Sequence, residues 1–346
     1  MNVNSFNFLF ISNIKRILRK LIEFKASLSS KSFYCKALSG MSTYNICINS
    51  DLTVSCNCRD YDGTGHIGDF SSQSFSDVLS GIIAKEFRKK LAYGRLPILT
   101  CTTCNELHLI DKNNAQHFEQ HYALPEGIML ENTICCNLNC TQCARKEVTS
   151  IRKKKSLTLE EIKKVSMEIK RCNIKSLCFF SLGEPFLSPN IYDELKILRD
   201  DNPDLTITVS TNGTLLDNDK ARVAALMLDT IIFSIDGILN KTLQKYQKKG
   251  SFEKSYNNMK ALVDYRNAKN LYKPLIEWKY VLFNWNDEKQ MILEAIKLAS
   301  QAKVDIISFW PTRTPIYGIS WRYYFSSFFK TIGYKNWKGR EVNLRG

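Results

Sequence analysis

The sequence predicts an α/β fold: an incomplete, TIM-like (β/α)6 barrel preceded by a small cysteine-rich module. Three observations predict it. Apolar strand-like segments alternate with amphipathic stretches from Gly127 onward, cysteines gather between Cys35 and Cys104, and three more stand as C-x3-C-x2-C at Cys136, Cys140 and Cys143. Alternation of strand and helix implies a parallel sheet with right-handed crossovers, whose ligands sit in loops at the carboxyl ends of the strands. A chain of 346 residues can bury one large domain and a smaller one. Its divisions are read as 1–30, a basic amphipathic segment; 31–110, the cysteine-rich module; 120–312, the partial barrel; and 313–346, a basic aromatic tail.

The first segment, FNFLFISNIKRILRKLIEF, has an apolar run from Phe6 to Ile11. Lys15, Arg16, Arg19 and Lys20 follow, interleaved with Ile14, Ile17, Leu18, Leu21 and Ile22. That spacing predicts a basic amphipathic helix whose apolar face packs on its own domain, with docking to anionic lipid as the alternative. The charges follow the apolar run, the reverse of a secretory leader, and no run of about 18 apolar residues is present to span a bilayer. Twelve cysteines with no such leader point to metal ligation in a reducing cytoplasm rather than to disulfides.

The module carries Cys35, Cys47, Cys56, Cys58, Cys101 and Cys104 around the turn-rich DYDGTGHIGDF and a helical stretch from Phe75 to Tyr93. It reads as a cluster-binding or zinc-binding unit. In the barrel, GIMLENT, IKSLCFFSL, LTITVSTNG, DTIIFSIDG, PLIEWKYVLF and VDIISFWP are six expected strands. The three-cysteine loop follows the first of them. Three thiolates hold three irons of a [4Fe–4S] cluster and leave the fourth open, whereas zinc prefers four ligands and no histidine follows the triplet.

Polar turns stand at the ends of the next strands: Gly183-Glu184-Pro185 after the second, Ser210-Thr211-Asn212-Gly213 after the third, Ser234-Ile235-Asp236-Gly237 after the fourth. As plain turn formers these are ordinary. Together with ICCNLNCTQCAR around the triplet, they resemble the radical S-adenosylmethionine superfamily. The resemblance implies a [4Fe–4S] cluster on Cys136, Cys140 and Cys143. It also implies S-adenosyl-L-methionine held by Gly183, Glu184, Pro185, Ser210, Asn212, Ser234 and Asp236, through its amino group, ribose and carboxylate. Reductive cleavage of that cofactor and hydrogen abstraction from substrate would follow, with no catalytic side chain assigned beyond the cluster. Arg145 would line or cap the cluster loop, Lys249-Gly250 is a helix terminus or a carboxylate contact, and Trp278, Tyr280 and Asn284 mark the fifth strand.

CNCRDYDGTGHIGDF, FRKKLAYGRLP and the pair Cys101 and Cys104 resemble the SPASM type of auxiliary-cluster domain, here placed before the barrel instead of after it. That resemblance implies one auxiliary [4Fe–4S] cluster on Cys35, Cys101, Cys104 and either Cys56 or Cys58, with Cys58 taken as the fourth ligand and a four-cysteine zinc site as the alternative. Cys47, Cys135, Cys172, Cys178 and the remaining one of Cys56 and Cys58 are left as ordinary thiols.

A net charge of +15 favours anionic partners. Dense basic patches lie at Arg152 to Lys155, read as a solvated loop, and in the tail after Arg313; no nucleic-acid recognition fold accompanies them. The expected function is a cytoplasmic radical enzyme of oxidoreductase or peptide-modifying type, reduced by a flavodoxin or ferredoxin and acting on a peptide or protein, an acidic peptide suiting the charge. A carbohydrate or other cell-envelope intermediate is the alternative substrate, and a non-enzymatic metal-binding interaction module the alternative class.

Overall fold

The computed structural model of the chain describes residues 3–336 and 338–345, with residues 3–12 described in their backbone only, so the apolar run Phe6 to Ile11 lies outside the described side chains. Two compact units form, each assembled from separate stretches. The first is Met1–Glu131, Glu147–Leu157 and Lys164–Cys178; the second is Asn132–Lys146, Thr158–Lys163 and Phe179–Gly346.

In the first unit α1 (Val3–Leu28) is followed by β1 (Lys31–Cys35), β2 (Cys47–Ile48), β3 (Thr53–Ser55), β4 (His66–Asp69), α2 (Phe75–Ser80) and α3 (Ile82–Ala92). Then come β5 (Leu107–Asp111), α4 (Lys112–Gln120), β6 (Gly127–Leu130) and β7 (Ser176–Cys178). β1 and β5 make an antiparallel ribbon. The remaining strands lie in the order β7-β6-β2-β3-β4, with β6 parallel to β7 and to β2. Residues 31–110 therefore add strands to the edge of β6, Cys47 standing opposite Met129. Ser74 starts α2 with a capping box, its hydroxyl accepting from Asp77 N while the Asp77 carboxylate accepts from Ser74 N.

Two expectations change in this unit. Arg152 is not on a solvated loop: its Nε lies 3.3 Å from Glu131 Oε1 and its Nη2 donates to Asn49 Oδ1 at 2.7 Å, the Glu131 side chain being fully buried. α1 forms, but most of its described apolar side chains do not pack on the domain. Ala26 is buried, whereas Ile17, Leu21, Phe24 and Leu28 face solvent.

The second unit holds β8 (Thr206–Thr211), β9 (Thr230–Ser234), β10 (Leu275–Leu282) and β11 (Ile306–Pro311), parallel in that order. β12 (Tyr334–Lys335) and β13 (Arg340–Asn343) close the edge antiparallel, β13 pairing with β11, which is what the basic aromatic tail does. All six expected barrel segments are strands, β6 to β11, and in neither unit does the sheet close on itself.

Strand β10 shows why. Ile276, Trp278, Tyr280 and Leu282 are fully buried, while Leu275, Glu277, Lys279 and Val281 alternate onto the other, partly open face. The polar tips of the buried aromatics are satisfied, Trp278 Nε1 donating to Ile235 O at 2.9 Å and Tyr280 OH to Asn286 O at 2.8 Å. One face of β8 to β11 is thus a packed core. The other carries Ser210, Ser234, Glu277, Lys279, Ser308 and Trp310, a polar face for a parallel sheet, where both faces are ordinarily apolar.

Candidate functional site

The cysteine loop belongs wholly to the second unit. It is pinned by the turn after Leu243: Asn139 N donates to Lys248 O at 3.1 Å, and Thr141 N to Tyr246 O at 2.9 Å. Arg145 ties the loop to itself, its Nη2 donating to Leu138 O at 3.2 Å. Lys249, at φ +67°, is part of that supporting turn, as a helix terminus would be. Asn284 likewise forms a turn, donating to Tyr317 O.

Within the loop, each pair among Cys136, Cys140 and Cys143 is close enough for one thiolate to raise the proton affinity of the other. Burial is the larger cause, and with Cys143 and Asp236 it pushes Cys140 up to about 12. Cys136 and Cys140 are thus disfavoured as anions until positive charge compensates them, which iron supplies. Among the described residues no three metal-donor side chains converge on the position of a single ion. Zinc ordinarily takes four ligands, and the triplet brings three cysteines. The cluster fits it better, since each thiolate then binds a different iron.

Gly183 and Glu184 brace this loop. Glu184 N donates to Cys135 O at 2.8 Å, and a Cβ on Gly183 would lie 1.9 Å from Thr133 O, so only glycine permits the approach. The Glu184 carboxylate is fully buried and accepts from Thr211 Oγ1 at 2.7 Å, Asn212 N at 2.8 Å and Phe186 N at 3.2 Å. Burial pushes it up to about 7 against the pull of those donors. Pro185 opens a short 3-10 turn. The tripeptide therefore locks the end of β8 to the cysteine loop.

Asn212 extends the same network. Its Nδ2 donates to Asn137 Oδ1 at 2.9 Å and lies 4.0 Å from Cys136 Sγ. Ser210 and Ser234, on neighbouring strands, share a hydrogen bond of 3.1 Å. Asp236 is fully buried, accepts from Val281 N at 3.0 Å, and is pushed up to about 6, chiefly by burial. Gly183, Glu184, Pro185, Ser210, Asn212, Ser234, Asp236 and the three cysteines all fall within this one unit.

Two residues of the site escaped the sequence reading. Gln247 donates to Ser234 O and accepts from Asp236 N, holding the β9 turn. Lys279 lies beside Asp236 and Glu277, 5.2 Å from the Trp310 ring, and burial pushes its ammonium down. No hydrogen bond or ion pair reaches it among the described residues. Its signal was available: Glu277 and Lys279 are alternate charges in an otherwise apolar strand, and two charges at period 2 mark a functional face.

In the first unit, Cys35, Cys56, Cys101 and Cys104 form a second group. All six pairs among them are close enough to perturb one another, and burial is the first cause of the rise in each. Cys104 accepts from Asn57 Nδ2 at 2.7 Å, and Arg59 and Arg19 favour the thiolates of Cys104 and Cys101. Cys58, the expected fourth member, instead donates to Asn45 Oδ1 at 3.1 Å and neighbours Tyr44. The chain leaves β3 through an irregularity at Val54 and Ser55, so strand alternation does not carry on to say which thiol turns inward.

The sequence profile of the Radical SAM superfamily matches residues 132–272. A GTP 3',8-cyclase of Chlorobaculum tepidum is 26% identical over 121 residues, covering 35% of this chain and 36% of the cyclase. A cysteine-type anaerobic sulfatase-maturating enzyme of Clostridium novyi is 29% identical over 148 residues, covering 39% and 40%. Among solved structures, native anSMEcpe with bound AdoMet aligns with TM-score 0.39 and 16% identity, covering 52% of this chain and 50% of that one. The chain spans less than half the length of the two curated relatives. Residues 132–272, which hold the triplet, Gly183-Glu184-Pro185 and the polar ends of β8 and β9, match the radical SAM superfamily, enzymes whose cofactors are a [4Fe–4S] cluster and S-adenosylmethionine.

Proposed function

We propose that this chain reductively cleaves S-adenosylmethionine and abstracts hydrogen from a peptide or protein substrate. The observation that carries it is the buried Gly183-Glu184-Asn212 network, which braces a loop of three mutually adjacent thiols at the carboxyl ends of parallel strands. When bound, the cluster and cofactor supply one-electron cleavage of the sulfonium and a hydrogen-abstracting radical.

Cys136, Cys140 and Cys143 would ligate the cluster. Glu184 is engaged by three protein donors, so its main task is to hold the loop against β8. Ser210, Ser234 and Asp236 offer polar contacts along the strand ends, and Lys279 a cation for an anionic group. The core behind β8 to β11 excludes water from one side of the site, which protects a radical from side reactions. Cys35, Cys56, Cys101 and Cys104 would hold an auxiliary cluster, with Cys56 in place of Cys58. That second site and the sulfatase-maturating relative support a polypeptide substrate. A flavodoxin or ferredoxin would supply the electron.

The test is anaerobic reconstitution with iron, sulfide and 5′-deoxyadenosine measured per chain. About eight irons are expected in the wild type and about four in the Cys136, Cys140, Cys143→Ala triple variant, with cleavage only in the former. Cys56→Ala should lose about four irons and Cys58→Ala none. A triple variant that keeps all its iron, or still cleaves the cofactor, would overturn the proposal.

A further inference from the structure

The amphipathic helix α1 leaves its apolar face uncovered. Ile14, Ile17, Leu18, Leu21, Phe24 and Leu28 recur at helical spacing and are all exposed, Ile17 by 60%, Leu21 by 58%, Phe24 by 63% and Leu28 by 72%. Single exposed apolar side chains are ordinary, but six in one stripe are not. The stripe is also held facing outward. On the opposite side of the helix Ala26 is fully buried, and Glu23 accepts from Leu96 N at 2.8 Å while pairing with Arg19 at 3.1 Å and Arg95 at 3.3 Å.

Basic side chains border the stripe on the Glu23 side, where Lys20 and Phe24 line one cavity. Arg16, Arg19, Lys20, Lys90 and Arg95 line a cavity of about 830 Å³ beside α1, whose one acidic group, Glu23, is already engaged. Arg16 and Lys20 make no ion pair among the described residues. An adjoining cavity sets Tyr93, itself 65% exposed, with Phe24, Lys20, Lys31 and Lys112. Apolar stripe, aromatic rim and unpaired cations are the three features with which a helix lies in the interface of a bilayer, its cations meeting phosphate and its apolar side chains entering the acyl boundary. Lys25, in line with the stripe, can reach the headgroups by its long stem. Among the described residues no helix is long and apolar enough to cross the membrane, so the contact is one of surface.

We infer that α1 and its basic groove dock this protein on an anionic lipid surface. Charge complementarity selects that occupant: a second copy of the chain would bring the same cations against themselves.

The test uses the full chain and vesicles of phosphatidylcholine, alone or with one quarter phosphatidylglycerol, in a sedimentation assay. Binding to the anionic vesicles should exceed binding to the neutral ones by about tenfold or more, and should fall between about 0.1 M and about 0.5 M salt. Leu21→Gln with Phe24→Gln should reduce it about tenfold, and Arg16→Gln with Lys20→Gln should remove most of the preference for anionic lipid. All four side chains are exposed, and unchanged iron content and thermal melting would show that the fold is kept. Wild-type protein that ignores anionic vesicles, or an apolar variant that binds as well as wild type, overturns the inference. So does a dimer, seen by light scattering, that the apolar variant dissolves while neither form binds vesicles.

Discussion

Gly183→Ala tests the link between the Gly-Glu-Pro turn and the cysteine loop. A Cβ there would lie 1.9 Å from Thr133 O and 3.0 Å from Cys135 O, both backbone atoms. The two segments must separate by about 1 Å or more to accept a methyl group, and overpacking of this kind costs about 1–3 kcal/mol. The separation also stretches the bond from Glu184 N to Cys135 O and pulls the Glu184 carboxylate from Thr211 and Asn212, each such bond contributing about 1 kcal/mol. A loss of about 3 kcal/mol or more is expected. Gly94→Ala is the control: at φ +74° with its nearest atom 3.9 Å away, it suffers only the left-handed backbone penalty of about 1 kcal/mol. Urea unfolding of both variants, with equilibrium dialysis of S-adenosylmethionine against the reconstituted proteins, measures the difference. If Gly183→Ala unfolds no earlier than Gly94→Ala and binds the cofactor as wild type does, the bracing argument is wrong.

Arg152→Met strands the buried Glu131 carboxylate and should cost about 3–5 kcal/mol in urea unfolding, far more than an exposed basic loop would. Lys279→Met removes a half-buried cation without an ion pair among the described residues, so stability should hold or rise by about 1 kcal/mol while cofactor cleavage falls about tenfold or more. Asp236 supplies a pH signature in the metal-free protein. Its folded value of about 6 lies above the ordinary 3.8, so its contribution is present in full below pH 3.8 and is lost as pH rises through 6. Unfolding free energies for Asp236→Asn should therefore exceed those of wild type at pH 8 by about 2–3 kcal/mol and converge with them near pH 4.

Much of this molecule was legible in one dimension because its signals are local. Period-2 burial in LIEWKYVL, turn residues closing β8 and β9, and the C-x3-C-x2-C spacing each depend on neighbours a few residues away, so β6 to β11 and a three-cysteine loop following β6 could be read from the sequence alone. What only the tertiary structure decided depends on partners far along the chain. Cys56 lies beside Cys35, Cys101 and Cys104 while Cys58 bonds Asn45, 13 residues back, and on that placement rests the proposal of Cys56 as the auxiliary ligand. Arg152 became a buried partner of Glu131 and Asn49, 21 and 103 residues away, which no charge pattern announces. The amphipathic period of α1 foretold an apolar face but not its surroundings; the bonds of Glu23 to Arg95 and Leu96 turn that face outward. Spacing determines which side chains share a face, and long-range packing determines what that face meets.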